Sequence, residues 1–531
     1  MSGSSGGLGS RGLPAAWLWF GLIIVAMAAA RFAVMFGTGP IHDEAYYWAW
    51  SQRLDFGYYD QPFLTGWLLA PFVAVLGDGA WVLRLVASGL TGLTTLFLGL
   101  SVLRLRETLG SSAAPDGQDH DRLNEALPGL ALLCLTSPLL WGVGLLYVHD
   151  TILLCGLSAG LWLGLTALAK PPGAWSRGWW LGAGAALGLA FSAKVSGALW
   201  IFALGLGVAA HPAGWRHLRH LGPWLGALLV AMAAGLFVGW NALNDWVTFR
   251  HVGGEHLGAD LTDLSAAWAE RAGRVGVALA ATVLLAGPAA AALTLAGMGR
   301  ALRNRSSVGV FALLAFAFLP LLGFVALAWV REIYLNWLLP SAMGVTVLGA
   351  VFWPPRVKGW HVISSAPAAL LSLAVLIPLA LREPRFMLAN ARDILGWEAS
   401  IALLVDYRDE AFPDAVIAGN YYHLAAQLAF HQRQVLPSVG ADPRPHQFAL
   451  FEDRTGALDG PALVLTPSLE AGRAALEDSH CGVTPLVPWP VNHGRGGTID
   501  TPYLFITAGP RSNQSPCEDE GPRQSESLNA E

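Results

Sequence analysis

Residues 41 to 62, IHDEAYYWAWSQRLDFGYYDQP, hold four carboxylates and six Tyr or Trp rings against a single arginine. His42, Asp43 and Glu44 open the stretch, and Asp55 and Asp60 follow. A second polar pair, His149 and Asp150, occupies a very short turn between apolar runs, LLYVHDTILL. Acids flush against a hydrocarbon slab are costly to bury, so they face water, a partner charge or an aqueous cavity. In a desolvated cleft a carboxylate is pushed toward the range of a working general base. Two readings of these acids stand side by side, a solvated surface and a reaction site. Asp43 is wedged between an apolar helix and the run EAYYWAW, and the hairpin at Asp150 leaves almost no loop in which an acid could idle; both favour the site. For Asp55 and Asp60 the readings balance. Tyr46, Tyr47, Trp48, Trp50, Tyr58 and Tyr59 fit either an interfacial belt or a platform for sugar rings or an isoprenoid chain, and composition alone favours the belt.

The elements that must carry these residues are apolar. Of 531 residues 54% are hydrophobic and 13% charged, with 23 Trp, whereas a soluble chain is about a quarter charged. Runs such as LLVAMAAGLFVGW and VGVFALLAFAFLPLLGFVALAWV approach or exceed the roughly 20 residues that cross a bilayer. Spans are expected near 15–36, 81–103, 126–147, 151–169, 178–193, 195–210, 221–240, 272–298, 308–330, 335–352 and 361–381, about eleven in all, with an interfacial helix over 62–77. The net charge of -5 is too small to indicate a partner, and nothing favours nucleic acid. Alternate loops carry Arg11; Arg104, Arg106 and Arg122; Lys170 and Arg177; Arg216 and Arg219; Arg300, Arg303 and Arg305; Arg356 and Lys358. The positive-inside rule assigns these to the cytoplasm, so the acidic loops face outward.

The domains expected are a flexible cytoplasmic tail, 1–14, a membrane domain, 15–381, with its first outer loop at 37–80, an external α/β domain, 382–515, and a disordered tail, 516–531. In the external part AVIAGN, QVLPSV, PALVLTP, VTPLVPW and PYLFITAG read as strands, while YYHLAAQLAFHQR and SLEAGRAALEDS have helical spacing. Cys134 and Cys155 fall in spans. Cys481 and Cys517 both lie outside, where an oxidising compartment allows them to pair.

The outer face carries few cations: Arg53, Arg84, Lys194, Arg250, Arg271 and Arg331. Lys194, an ammonium between two short spans, has the least structural excuse, and Arg331 precedes Tyr334 in REIYLNW; the bland alternative for each is snorkelling to the interface. His42, Glu44, His149, His251, Glu255 and His256 offer metal donors on the same face. Tetrahedral zinc spacing is absent, so a loosely held divalent metal cation, with His42, His149 and His256 as its ligands, is the one cofactor to weigh.

The order DEAYYWAWSQRLDFGYYDQP, GDGAWVLRL, a short turn ending in Asp150, GLAFSAKVSG, REIYLNWLLP, ARDILGWEA and NYYHLAAQLAFH resembles the bacterial GT-C glycosyltransferases. More narrowly, it is similar to the group of the lipid A aminoarabinose transferase and protein-mannosyltransferase-like enzymes. The resemblance runs from about residue 31 to 510 and implies a mostly α, polytopic GT-C bundle of about 11–13 transmembrane helices with a C-terminal extracytoplasmic α/β domain. It implies a monomer in the bacterial inner membrane, amino end cytoplasmic and C-terminal domain periplasmic. A polyprenyl-phosphate sugar would be the donor and a lipid or protein the acceptor. Asp43 then matches the essential carboxylate and Asp150 the assisting acid, with Glu44 beside them; Lys194 matches the lysine of the family's hairpin, and Asn336 and Trp337 its NWP-like segment. Where relatives have GYYDHPP this chain has GYYDQPF, so Gln61 and Phe63 replace a His and a Pro.

The chemistry that follows is direct displacement with inversion, with Asp43 as base toward an acceptor hydroxyl. Lys194, Arg331, Tyr334 and Arg84 would hold the departing phosphate, and Tyr46, Tyr58, Tyr59, Asp60, Gln61, Asn336 and Trp337 the substrates. The competing class is a transporter or flippase of a lipid-linked sugar, for which the same charges would line a pathway.

Overall fold

The computed structural model describes residues 15–110, 129, 131–256, 267–303, 307–353, 359–387, 389–436, 438–440, 446–455, 460–493 and 497–510. Both expected tails, 1–14 and 516–531, lie outside the described residues, as does Cys517; Cys481 is disulfide-bonded. Cys134 and Cys155 are free thiols.

Six helices are long and apolar enough to cross a bilayer: Leu18–Met35, Ala80–Leu109, His149–Ala169, Leu221–Leu243, Val308–Ala328 and Val362–Leu381. Two bent pairs raise the figure to 8 at most among the described residues. Several of the other expected spans are interrupted or short among the described residues. The run 272–298 is not one rod, because Gly287 takes φ +91° and Pro288 starts a new helix, so that Trp268–Ala286 and Pro288–Gly299 meet at 100°. Pro212 likewise restarts the chain after Gly197–Ala209, at 105°. Within 126–147 the hydroxyl of Ser137 accepts from the Leu140 N–H and caps a short helix, Pro138–Val143. The expected span 335–352 is a 3-10 turn, Leu335–Leu338, followed by the 13-residue helix Leu339–Val351.

Helix Ala174–Ala193 packs between His149–Ala169 and Leu221–Leu243. A Cβ on Gly184 would meet the Gly226 carbonyl oxygen at 2.2 Å, so only glycine permits this backbone contact. Such approach through small residues is how apolar helices associate where lipid supplies no hydrophobic drive. Leu153, Leu157 and Leu161 pack with Leu313, Phe316, Met343 and Val347 in the central core. At one end of the bundle Arg104, Ala169, Ala213 and Ser307 surround a small cavity, while Asp43, His149, Lys194, His251 and Tyr334 gather at the other. The alternation of loops inferred from cation placement requires this sorting of helix ends.

The first loop folds into two helices, His42–Gln52 and Leu64–Leu76, the second where an interfacial helix was expected. Its rings divide between two environments. Trp48, Trp50 and Tyr58 are buried; Trp50 stacks on Tyr58 at 4.3 Å, and the Tyr58 hydroxyl donates to the Trp50 carbonyl at 3.0 Å. These are core residues, and neither the belt nor the platform reading describes them.

Beyond Leu381 the chain forms a mixed four-stranded sheet. Val416–Gly419 runs parallel to Ala462–Thr466, which pairs antiparallel with Tyr503–Thr507, and that with Thr484–Pro488. Four of the five expected strands are present; QVLPSV forms none among its described residues. Both expected helices are found, Tyr422–Gln432 and Leu469–Glu477. Tyr422–Gln432 lies directly on His42–Gln52, and Ala425, Phe430 and Phe448 share one buried cluster with Trp48, Trp50, Val82 and Leu83. The C-terminal region is thereby packed against the loop that carries the acids.

Candidate active site

Adjacent residues on a helix diverge by about 100°, and the DE pair uses that angle. Glu44 points inward. Its carboxylate accepts from the N–H groups of Ile41 at 3.2 Å and Tyr147 at 2.7 Å and pairs with Arg84, both side chains being buried. Arg84 also donates to the carbonyls of Leu145 at 3.2 Å and Gly39 at 3.1 Å. Burial pushes the Glu44 carboxyl up, and Arg84 with the two backbone donors pulls it back. Glu44 and Arg84 therefore join three segments of chain. Neither lines the cavity, which corrects the expectation of a catalytic Glu44 and a phosphate-holding Arg84.

Asp43 points the other way, into a cavity of about 560 Å3. Its side chain is 39% exposed, so the fully desolvated carboxylate expected from the sequence is instead an open one. Tyr46 and Tyr47, three and four residues on, share its helix face and line the same space. The Tyr46 hydroxyl donates to Asp60 at 2.7 Å and accepts from the Gln447 N–H at 2.7 Å. Tyr47 and His149 Nδ1 are 2.8 Å apart. Burial raises both phenols well above their ordinary range, and the neighbouring carboxylates push the same way: Asp60 for Tyr46, and Asp43, Asp60 and Asp150 for Tyr47. Both stay neutral, and Tyr47 sits in the field of two acids of its own loop and of Asp150, a hundred residues on.

Asp150 lies beneath the cavity wall. One oxygen is 2.7 Å from Lys194 Nζ; the other accepts from Asn336 Nδ2 at 3.2 Å and lies 3.2 Å from His149 Nε2. Lys194, Asn336 and His149 all line the cavity, while Asp150 does not. Its place is to hold three lining side chains. The Gln61 side-chain oxygen Oε1 accepts from the Val195 N–H at 3.2 Å, and Asp60 reaches His251 at 3.3 Å. Tyr334 and Trp337 complete this wall.

Other expected residues stand elsewhere. Tyr59 is buried, its N–H donating to Gln447 at 2.7 Å, and neither it nor Tyr58 lines the cavity. Arg331 precedes the wall without lining it. Of the metal donors, His42 Nδ1 is 2.5 Å from Asp393 Oδ2, His149 is held by Tyr47 and Asp150, and the side chain of His256 lies outside the described residues. No group of three or more His, Cys, Asp or Glu gathers as a metal ligand set among the described residues.

Sequence reasoning missed the C-terminal contribution. Tyr422 and His446 line the cavity, and Asp393 fixes His42, whose ring also lies 4.1 Å from that of His423 in a tilted contact. His42 Nε2 lies 3.7 Å from Asp43 Oδ1, so Asp393, His42 and Asp43 form a row. NYYHLAAQLAFH and ARDILGWEA stand out in the sequence, yet nothing local ties them to Asp43.

Residues 123–240 match the family model for dolichyl-phosphate-mannose-protein mannosyltransferase. The chain is 26% identical over 359 residues to the lipid A galacturonosyltransferase RgtD of Rhizobium johnstonii, across 64% of this chain and 67% of that protein. Crystal structures of ArnT from Cupriavidus metallidurans share the fold. The apo form aligns with a TM-score of 0.57 at 16% identity, covering 92% of this chain and 98% of that one. The form bound to undecaprenyl phosphate gives 0.57 at 15% identity, covering 93% and 98%. Fold and likeness define the class, a multi-pass membrane protein with a GT-C glycosyltransferase fold. Within that class, the chain resembles the group of ArnT and the protein mannosyltransferases.

Proposed function

We propose that the protein transfers a sugar from a polyprenyl-phosphate donor to an acceptor at the outer face of the bacterial inner membrane, acting as a monomer with its amino end in the cytoplasm. One observation carries the reading: Asp43 and Lys194, a free carboxylate oxygen and an anchored ammonium, line the same cavity at one end of the bundle. The bound ligand of one ArnT structure and the name of the Rhizobium relative make an undecaprenyl-type donor and a lipid A acceptor the first combination to assay. Other envelope glycans and proteins are the alternative acceptors. Between a hydroxyl and a phosphate acceptor we take the hydroxyl, because Asp43 and Asp60 both line the cavity and repel a second anion.

The acceptor oxygen attacks the anomeric carbon as Asp43 removes its proton, and the bond from that carbon to the donor phosphate oxygen breaks with inversion. The proton ends on Asp43; the leaving polyprenyl phosphate keeps the bond electrons and rests on Lys194. Asp150 holds Lys194 extended toward that phosphate, and the neutral phenols of Tyr46 and Tyr47 border the sugar. Asp393 orients His42 beside Asp43, which makes His42 a positioning residue. No step is routed through a metal. Polar side chains cluster at one helix end instead of forming a path at mid-membrane, which disfavours the flippase reading.

The test is transfer from a labelled polyprenyl-phosphate sugar in membranes, wild type against Asp43→Asn. A loss of about 10²- to 10⁴-fold with donor binding retained is expected. Undiminished transfer overturns the assignment, and an inert variant that still moves lipid-linked sugar across the bilayer indicates a flippase.

A further inference from the structure

A second cavity of about 560 Å3 opens at the same end of the helices, where the first span ends and the helix Ala80–Gly110 begins. No described residue lines both cavities. Phe36 and Trp81 flank the second one and are 57% and 37% exposed, as suits residues at a bilayer interface. Its other wall is the helix Trp397–Ala411, with Glu398, Ile401, Val405 and Asp406 on one face. The floor is the end of Tyr422–Gln432.

That floor holds two unmet polar groups. His431 Nε2 and Gln432 Nε2 are buried without a hydrogen-bond partner, and folded proteins leave few such atoms unsatisfied unless water or a ligand meets them. Beside them Arg433 adopts φ +56°, and its guanidinium lies 4.2 Å over the Phe430 ring and 5.9 Å over that of Trp48. Asp78 and, after it, Glu398 are electrostatic neighbours of Arg433, which also donates to the Phe430 carbonyl at 2.7 Å. The lining thus presents one cation, an amide donor, a neutral imidazole, two acids and apolar side chains toward the membrane.

We infer that this cavity binds the headgroup of a phospholipid bearing both a phosphodiester and a primary ammonium, the phosphate on Arg433 and the Gln432 amide, the ammonium on Glu398. A purely anionic headgroup would set its charge against Glu398 and Asp406, and an isolated cation would meet Arg433. Phe36 and Trp81 cover the glycerol and the first acyl carbons. The site does not depend on the proposed transferase activity.

The test uses full-length, delipidated protein in detergent, with native mass spectrometry after addition of phosphatidylethanolamine, phosphatidylglycerol or phosphatidylcholine. Wild type is expected to take up phosphatidylethanolamine at about tenfold lower concentration than the other two, which corresponds to about 1.4 kcal/mol. Arg433→Gln and Glu398→Gln should each abolish that preference, and Glu398→Gln, at an exposed position, should leave thermal unfolding without lipid unchanged. Equal uptake of the three lipids overturns the proposal, as does a preference that survives both substitutions. Displacement of the bound lipid by equimolar undecaprenyl phosphate also overturns it, since the cavity would then belong to the donor path.

Discussion

Asp150 and Lys194 offer the sharpest test of how the cavity is built. Their charges stand 2.7 Å apart with both side chains 7% exposed, a separation worth about 6 kcal/mol of attraction at an effective dielectric of about 20. Most of that is offset by the cost of removing two charges from water, but deleting one partner strands the other, at about 3–5 kcal/mol. Asp150→Asn leaves the ammonium buried; Lys194→Met leaves the carboxylate with only Asn336 and His149. The double substitution removes both charges and should fall at least about 3 kcal/mol short of the summed losses. Unfolding in detergent measures this cycle, and transfer of labelled sugar measures the function. Because Lys194 is assigned to the leaving phosphate, all three variants should lose about 10²- to 10³-fold in turnover, the stable double variant included. Additive stability losses would refute the pairing, and recovered turnover in the double variant would refute the role of Lys194.

Three further outcomes are expected. Glu44→Gln and Arg84→Met should each cost about 3–5 kcal/mol of stability, while the fraction that folds keeps its affinity for donor; a stable but donor-blind Arg84 variant would restore its place among the phosphate-holding residues. Asp393→Asn should lower turnover without changing the donor KM, and undiminished turnover would remove the His42 row from the mechanism. Burial and Arg433 hold the His431 imidazole down to about 4, whereas an unfolded histidine titrates near about 6.5. The unfolded chain therefore binds the extra proton first, so stability should decline as pH falls from about 6.5 to 4, by about 2 kcal/mol once partial exposure is allowed for. His431→Asn should flatten that slope in urea titrations, and an identical slope would discount the buried ring.

Sequence patterning singled out Asp43, Lys194 and Tyr334 because each is a polar or aromatic interruption beside an apolar run, and in a bilayer such interruptions fall at helix ends; Asn336 and Trp337 came from the family resemblance. Cation alternation assigned those ends to one face. What it lacked was direction around the helix axis. Asp43 and Glu44 look alike in a string, and only the positions of Arg84 and Tyr147 show that one faces the cavity and the other the core. Arg84 itself reads as an interfacial cation, since its partner lies 40 residues away. Tyr422, His446 and Asp393 were invisible for a related reason: their contact with the first loop is set by how the C-terminal region seats on it. The break at Gly287 was not legible either, because hydropathy sums over a window and ignores one residue with positive φ.

The Glu44 junction constrains the order in which the chain can mature. Its carboxylate draws on a guanidinium 40 residues downstream and a backbone amide 103 residues downstream, so the first loop has no settled conformation while it emerges alone. The second membrane helix must insert before Arg84 arrives, and the segment through Tyr147 must follow before the last acceptor site fills. Until then an ionised glutamate waits at the bilayer edge, where only water can solvate it. Assembly of the outer loop is thus a late event in membrane insertion, and a translation arrest placed ahead of Tyr147 should leave that loop open to proteases that the finished protein resists.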